Sequence, residues 1–336
     1  MIDVMPDLPR LRSLITAFQQ SAAVHVAADL GLSDLLAGGP RSVSDLAAAT
    51  GTDEDTLHRL LRALAAIGVY EERPDGSYAG TDLGAGLRSD LPGSLRPLAL
   101  TVSVPTHWAA WGSLGHSVRT GENAFEALHG VDVWAHRRAH PEENQHFNDN
   151  MAALTFNVAG AVAEAYDFSG ISSLVDVGGG QGALLAAILD RHPHLTGTVL
   201  DLPQALATEA PSAALAPRWS AVGGSFFEEV PEADGYLLKS ILHDWPDDRC
   251  VDILRTCARH LRPGGVLLVV ETVLGRPGYE VQAAFSDLNM LVMPGGRERT
   301  EEEYAALFAA AGLALTRVVD TGTRMSVLEG RADPSD

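Results

Sequence analysis

Hydrophobic residues near the N-terminus are spaced three or four positions apart, as on one face of an α-helix. The first of these faces contains Leu11, Leu14, Ile15 and Phe18, and the second contains Val24, Ala27, Ala28, Leu30 and Leu32. Ser42 is a suitable N-cap for a short helix that ends at Gly51, and Asp53 begins a further helix that Gly68 stops. The pattern therefore predicts that the chain begins with a group of helices.

A short hairpin follows these helices. Residues 69–72 and 77–79 have strand character and are joined by Pro74-Asp75-Gly76, a typical turn sequence. Helices followed by such a hairpin form a winged-helix pattern, which is often a DNA-binding module. The helix that begins at Asp53 continues with Glu54 and Asp55, and an acidic leading end is unsuited to approaching phosphates. We therefore favour a module that presents apolar helices to a second subunit, with a DNA-binding regulator as the alternative.

After Ser172 short β-rich runs alternate with helical runs, which predicts a parallel sheet with helices on both faces. The predicted strands are 173–177, 198–201, 220–222, 235–239, 265–271, 313–319 and 325–330. The predicted helices between them are 183–191, 202–209, 248–261 and 301–311. The connection Asp320-Thr321-Gly322-Thr323 is too short for a parallel crossover, so the last two strands should form an antiparallel hairpin. The sequence thus predicts a Rossmann-like α/β sheet with one antiparallel strand at its C-terminal end.

The segment between these two halves is helical and unusually aromatic. Its large rings are Trp108, Trp111, Phe125, Trp134, Phe147, Phe156 and Tyr166. Several rings between two domains would suit a wall for a flat ligand. We therefore divide the chain into a dimerisation domain over 1–95, a helical linker over 96–165 that contributes to a substrate pocket, and a catalytic domain over 166–336.

The formal net charge of −20 changes the list of expected partners. No Lys/Arg cluster offers the basic face that a nucleic acid needs. No apolar stretch reaches the length of about 20 residues required to span a membrane, and the N-terminus lacks the order of a signal peptide. We therefore expect a cytoplasmic protein without nucleic-acid or membrane partners. Cys250 and Cys257 lie two helical turns apart, too far for a disulfide, and we expect both to be buried.

The first strand of the sheet leads into a glycine loop, Gly178-Gly179-Gly180-Gln181-Gly182, before a helix. Glycines permit a tight turn with positive φ and let a ligand touch the backbone. Asp201 ends the next strand, where a carboxylate can accept both hydroxyls of a ribose. This combination predicts a nucleoside ligand without specifying which one. A NAD(P)-dependent oxidoreductase therefore stays open, although the sequence has no Tyr-x-x-x-Lys pair.

Further candidates for nucleoside contacts follow later strands. Phe226, after the third strand, can pack on an adenine face, and Ser225 can bond its edge. Lys239 closes the fourth strand and can reach into the same pocket. Asp176, just ahead of the glycines, can meet the methionine end of a cofactor through water or a backbone donor.

A candidate catalytic base lies shortly after Lys239. Ligands of open parallel sheets bind at the carboxyl ends of the strands, and His243 lies at such an end. A phenol has a pKa of about 10 and needs a base at neutral pH, a task that suits histidine. The imidazole needs a carboxylate on its far nitrogen, and Glu271 and Glu298 are placed to supply one.

Five motifs, in order, resemble the caffeic acid and acetylserotonin O-methyltransferase family. They are Gly178-Gly179-Gly180-Gln181-Gly182, Leu200-Asp201-Leu202-Pro203, Gly224-Ser225-Phe226-Phe227, Leu242-His243-Asp244-Trp245 and Gly295-Gly296-Arg297-Glu298-Arg299-Thr300. Phe147-Asn148-x-x-Met151 and Ser117-Val118-Arg119-Thr120-Gly121 resemble its bacterial branch, which methylates aromatic polyketides and related secondary metabolites. The resemblance covers nearly the whole chain. It implies a class I, S-adenosylmethionine-dependent fold behind a winged-helix domain through which two copies form a homodimer.

The resemblance also implies roles for individual residues. His243 would be the general base, oriented by Glu271 and Glu298. The cofactor S-adenosylmethionine, released as S-adenosylhomocysteine, would be bound by Met151, Asp176, Gly178, Gly180, Asp201, Leu202, Gly224, Ser225, Phe226, Lys239 and Ser240. Many members have Asp where Ser225 stands, so the contact with adenine should differ here.

The acceptor of the methyl group would be an aromatic small molecule. Its predicted pocket consists of Trp108, Trp111, Phe147, Asp244, Asn289, Met290 and Met293. Methionines suit flat rings because their side chains are polarisable and adaptable. No metal ion is expected, since no Asp/Asn cluster for Mg²⁺ is evident.

Overall fold

The computed structural model describes residues 7–206 and 210–332. Two compact units form within the chain. The first consists of residues 7–108 with Gln145–Ala153, and the second of residues 109–144 with residues 154–332. Residues 96–165 are thus shared between the two units. Among the described residues, no helix combines the length and the apolar character that crossing a membrane requires.

The first unit is mostly helical and carries a two-stranded hairpin. Its elements are α1 (Leu8–Asp29), α2 (Leu32–Leu36), α3 (Val43–Thr50), α4 (Glu54–Ala66), β1 (Tyr70–Glu72), β2 (Tyr78–Gly80), α5 (Asp82–Ala85) and α6 (Arg96–Val102). The predicted caps are confirmed: Ser42 Oγ accepts the N–H of Asp45 at 3.1 Å, and Asp53 Oδ1 accepts that of Thr56 at 3.0 Å. β1 and β2 are antiparallel, as the Pro-Asp-Gly turn predicts. The winged-helix pattern is confirmed.

Helix α1 is apolar on a surface that this chain leaves uncovered. Leu11, Leu14, Ile15 and Phe18 are all more than half exposed, whereas Ala27 and Ala28 near the end of the helix are buried. The core of the unit forms around Leu32, Leu46, Leu61, Leu64, Tyr70 and Tyr78. An exposed apolar stripe of this size indicates an interaction surface.

The second unit is built on a sheet of seven strands among the described residues, in the order β5-β4-β3-β6-β7-β9-β8. The strands are β3 (Ser173–Val177), β4 (Thr196–Asp201), β5 (Trp219–Gly223), β6 (Ala233–Lys239), β7 (Leu261–Thr272), β8 (Leu313–Asp320) and β9 (Met325–Ala332). β3 to β7 pair in parallel, and β9 runs antiparallel to both of its neighbours. The predicted Rossmann-like sheet with one antiparallel strand is confirmed.

Helices surround this sheet. They are α8 (Leu114–Thr120), α9 (Ala124–His129), α10 (Val133–Ala139), α12 (Ala183–Arg191), α13 (Asp247–His260), α14 (Glu280–Val292) and α15 (Glu301–Ala310), while α7 (Pro105–Gly112) and α11 (Pro141–Ala165) contribute residues to both units. Apolar side chains from α11 and α12 bury one face of the sheet and those from α13 and α15 the other. Cys250 and Cys257 are buried free thiols on α13, as predicted.

One predicted helix of this unit differs from the structure, and one helix was not predicted. Residues 202–206 form a turn instead of the start of a helix, and 207–209 lie outside the described residues. Here the Asp201 carboxylate accepts the N–H of Leu202 at 2.7 Å, a local bond that competes with helix formation. Helix α14 was not predicted, because Val281 and Phe285 are exposed and leave no clean apolar stripe.

Candidate active site

The glycine loop after β3 has a conformation that requires glycine. Gly178, Gly180 and Gly182 have φ values of 70°, 56° and 73°. A Cβ on Gly178 would overlap the side chain of Ile241, and one on Gly182 would overlap the ring of Trp219. The loop therefore lies directly against the segment that precedes His243, and its exposed backbone forms a cradle for a ligand.

Two carboxylates border this loop. Asp201 Oδ2 accepts the N–H of Gly180 at 2.8 Å, and burial raises the pKa of Asp201. Asp176 is buried beneath Gly179, and burial together with the charge of Asp201 raises its pKa to about 7. Because both carboxyl groups lie at the carboxyl ends of β3 and β4, they mark the edge of the sheet at which a nucleoside would bind.

The loop after β5 joins this site. The N–H of Gly224 donates to the carbonyl oxygen of Asp201 at 3.0 Å. Phe226 packs against Phe227 with ring centroids 4.8 Å apart, and Ser225 Oγ accepts the N–H of Phe227 at 3.3 Å. Ser225 is thus engaged in its own turn, and its contact with adenine stays a prediction.

Lys239 and Ser240 end β6 at the same edge. Burial and the nearby charge of Arg324 lower the pKa of the Lys239 ammonium to about 8. Ser240 has a φ of 55° and is the one non-glycine residue with positive φ in the described part of the chain. A strained backbone conformation of this kind persists only where the surrounding contacts stabilise it. At Ser240 it turns the chain towards the segment that carries His243.

The His243 ring lies between carboxylates. Its Nδ1 is 3.0 Å from Glu298 Oε1 and 3.4 Å from Glu271 Oε2, while its Nε2 is 3.6 Å from Asp244 Oδ1. With a proton on Nδ1, the ring donates to Glu298 and leaves Nε2 to accept a proton. The structure thus brings together the three residues that the sequence singled out for proton transfer.

Both glutamates are fully buried and held by further donors. Glu271 Oε1 accepts the backbone N–H groups of Ile241, Leu242 and His243 at 3.0, 3.0 and 3.3 Å. Glu298 Oε1 accepts the Ser286 hydroxyl at 2.6 Å. Each glutamate keeps one oxygen, Oε2, without a hydrogen bond. Glu271 is therefore fixed through Oε1 and turns Oε2 towards the imidazole, whereas Glu298 contacts Ser286 and the imidazole through the same oxygen, Oε1.

A buried arginine organises the turn of residues 242–244 from behind. Arg299 is 1 % exposed and donates to the carbonyl oxygens of Leu242 at 3.1 Å and Trp245 at 2.8 Å. It also pairs with Asp247 at 2.7 Å. Sequence reasoning missed Arg299 and Ser286 as site residues. Arg299 was visible within the Gly-Gly-Arg-Glu-Arg-Thr motif, whereas Ser286 lies on the helix that was not predicted.

Burial and the neighbouring carboxylates shift the pKa of His243 in opposite directions. Burial alone would lower its pKa, but Glu271, Glu298 and Asp244 raise it to about 10. Burial raises the pKa of Glu271 to about 7, while the pKa of Glu298 is lowered by His243 against the effect of burial. The donor atoms of His243, Glu271 and Glu298 lie within 4.8 Å of one another, close enough for a metal ion. The hydrogen bond to Nδ1 accounts for the same arrangement without an ion.

The predicted acceptor residues fall into two groups. Trp111 Nε1 donates to Asn289 Oδ1 at 3.2 Å, and Met290 and Met293 are buried at the end of the same helix, so these four lie in the second unit with Asp244. Trp108 and Phe147 belong to the first unit, as does Met151, which was predicted as a cofactor residue.

Comparison with known proteins decides the family. Residues 111–314 match an O-methyltransferase domain and residues 13–89 an O-methyltransferase dimerisation domain. Phenazine O-methyltransferase PhzM from Lysobacter antibioticus is 41% identical over 325 residues, covering 96% of this chain and 95% of that protein. The chain belongs to the S-adenosylmethionine-dependent O-methyltransferase family. The oxidoreductase and DNA-binding alternatives are therefore set aside.

Solved structures agree with this assignment. The crystal structure of LaPhzM has a TM-score of 0.92 at 40% identity, covering 98% of this O-methyltransferase and 100% of that chain. NcsB1, an O-methyltransferase from neocarzinostatin biosynthesis solved with S-adenosylmethionine and 2-hydroxy-5-methyl naphthoic acid, has a TM-score of 0.78 at 35% identity, covering 94% and 96%.

Proposed function

We propose that this O-methyltransferase methylates a phenolic hydroxyl of an aromatic natural-product intermediate, with His243 as general base. The observation that carries the proposal is the hydrogen bond from His243 to Glu298, at a sheet edge shared with the glycine loop. The named activity of the phenazine relative and the naphthoic acid bound to NcsB1 support an aromatic acceptor.

The residues of the glycine loop fit S-adenosylmethionine. When bound, this cofactor supplies an electrophilic methyl group on a sulfonium. Gly178 and Gly180 have no Cβ, so a ligand can approach their backbone closely. The Asp201 carboxylate oxygens can accept hydrogen bonds from a ribose. The other predicted cofactor residues complete the proposal: Met151, Asp176, Leu202, Gly224, Ser225, Phe226, Lys239 and Ser240.

The proton of the acceptor hydroxyl passes to His243 Nε2. Glu298 holds the ring through Nδ1, and the charges of both glutamates stabilise the imidazolium that results. A raised pKa makes His243 a stronger base once it is neutral. In the ligand-free protein it also keeps the ring protonated near neutral pH, so turnover should increase as the pH rises towards the pKa of about 10.

Two copies would associate through the first unit. The match to a dimerisation domain and the exposed apolar surface of α1 support a homodimer.

Replacing His243 by glutamine tests the base. We expect turnover of a phenolic acceptor to fall by about 10²- to 10⁴-fold, the usual contribution of a positioned base. The thermal stabilisation by S-adenosylhomocysteine should be unchanged, because the glycine loop is intact. His260→Gln is the matched control, since the His260 ring contacts the carbonyl oxygen of Thr256 in its own helix and lies outside the residues proposed for the site. Near-normal turnover of His243→Gln with intact cofactor binding would refute the base role.

A further inference from the structure

Arg324 lies at the active-site edge of the sheet. In the antiparallel pair of β7 and β9, Met325 is opposite Thr272 and Ser326 is opposite Glu271. Arg324 immediately precedes β9, so it lies beside the carboxyl end of β7, where the Glu271 carboxylate is held. The sequence analysis did not single out this residue.

The turn that carries Arg324 is tied down on several sides. Arg276 pairs with Asp320 at 2.8 Å, Tyr279 Oη donates to the carbonyl oxygen of Gly322 at 3.2 Å, and Thr321 Oγ1 donates to that of Met325 at 2.6 Å. These bonds fix the backbone on both sides of Arg324. The guanidinium is therefore presented from a rigid position, as a binding group should be.

Among the described residues, Arg324 has charged neighbours but no hydrogen-bonded partner. It is only partly exposed, and within residues 7–206 and 210–332 it forms no hydrogen bond or ion pair of the usual geometry. Its charge acts on Lys239 and on Glu298, both in the site. A guanidinium has five donors in a fixed fork that matches a carboxylate, and a partly buried one without a partner is suited to bind an anion.

Its place along the sheet separates Arg324 from the nucleoside end of the site. Asp201 ends β4, and the order β4-β3-β6-β7-β9 puts four strand spacings, roughly 19 Å, between the two strands. Lys239 ends β6 and His243 follows it, and β6 lies between these two strands. Arg324 thus lies beyond the base as seen from the ribose carboxylate, on the side left for the acceptor.

We propose that Arg324 forms a carboxylate-binding subsite for the acceptor, so that the preferred acceptors are aromatic hydroxy acids. This inference rests on the proposed function, because it names the substrate class of the same site. A chain with a net charge of −20 repels an anionic substrate at long range. A local cation is then needed to retain an acceptor that is ionised at neutral pH.

Binding of two matched probes tests the subsite. The probes are 3-hydroxy-2-naphthoate and its neutral carboxamide, titrated calorimetrically into the full-length protein saturated with S-adenosylhomocysteine. We expect the wild type to bind the carboxylate at least about tenfold more tightly, and Arg324→Gln to lose that preference. Arg324→Lys should keep part of the preference for the carboxylate, because the positive charge remains but the planar pair of guanidinium donors is lost. Arg331→Gln, the same charge change at the far end of β9, should keep all of it.

Three results would overturn the proposal. They are an equal affinity of the wild type for both probes, a preference that persists in Arg324→Gln, and a loss in that variant of affinity for S-adenosylhomocysteine itself. The last result would assign the guanidinium to the carboxylate of the cofactor. These titrations do not depend on turnover, whereas a failure of the proposed function would appear as wild-type protein that binds S-adenosylhomocysteine yet methylates no phenol.

Discussion

Two regions of the same sheet bury glutamates in different ways. Glu329, on β9, accepts hydrogen bonds from Tyr166, Thr316, Arg317 and Arg331, and both of its oxygens are engaged. Glu271 and Glu298, at the carboxyl edge, are buried at least as deeply, yet each has an oxygen without a partner. Burying a charge is costly unless it is paired. The comparison teaches that burial alone does not separate the carboxylates proposed to act in catalysis from a structural one, whereas incomplete pairing beside a histidine does.

The pKa shifts show the same contrast. Burial would raise the pKa of Glu329, but its hydroxyl and guanidinium donors lower it to about 2, so the group is a stable anion. Burial raises the pKa of Glu271 to about 7, close to neutrality. A carboxyl group near its pKa shares a proton readily with its neighbours, which suits a site for proton transfer.

The largest expected effect is a loss of turnover in a variant of Glu271 that a variant of Glu329 does not share. In Glu271→Gln, a neutral amide replaces the carboxylate that lies 3.4 Å from His243 Nδ1, so the imidazolium loses one of its stabilising charges and we expect turnover to fall by about 10²- to 10⁴-fold. Glu329→Gln, the matched control, should lose about 1–3 kcal/mol of stability and keep its turnover. Steady-state kinetics and urea unfolding of both variants are the measurements. Similar turnover in the two variants would remove the functional distinction.

A second test compares glycines of the two units. Gly51 (φ 67°) ends α3 in open space, whereas Gly182 (φ 73°) begins α12 against Trp219 and Val199. Alanine at either position is strained by about 1–2 kcal/mol. At Gly182 the overlap should add about 1–3 kcal/mol and reduce the thermal shift with S-adenosylhomocysteine. Equal losses of stability in urea unfolding would argue against a close contact between Gly182 and Trp219.

Much of this architecture was predictable because its signals are local. Ser42, Gly51 and Asp53 specify helix ends by their own side chains or φ angles, and alternation of strands and helices specifies the parallel sheet. The rule that ligands bind at the carboxyl ends of parallel strands also predicts His243 near Glu271 and Glu298. Helix α14 escaped prediction because exposed Val281 and Phe285 obscure its apolar face.

The remaining features depend on contacts between distant segments. Arg299 becomes a support for His243 only when its loop folds against the carbonyl oxygens of Leu242 and Trp245. Arg324 reaches the site only through the register of β9 on β7. Arg299 stands within the Gly-Gly-Arg-Glu-Arg-Thr motif, but neither that motif nor the residues around Arg324 reveal which distant groups these side chains meet.

The smallest expected effect is a shift in the pH dependence of catalysis. Carboxylates raise the pKa of His243, and the base acts when neutral, so kcat/KM should rise with pH towards the pKa of about 10 in the ligand-free protein. Glu298→Gln removes one of the raising charges and should move this limb to lower pH by about 1–3 units. Glu329→Gln should leave it in place, and ionisation of the acceptor is common to all variants. If kcat/KM of Glu298→Gln rises over the same pH range as that of the wild type, the titrating group is not His243. Glu298 and Glu329 would then not differ in their effect on catalysis.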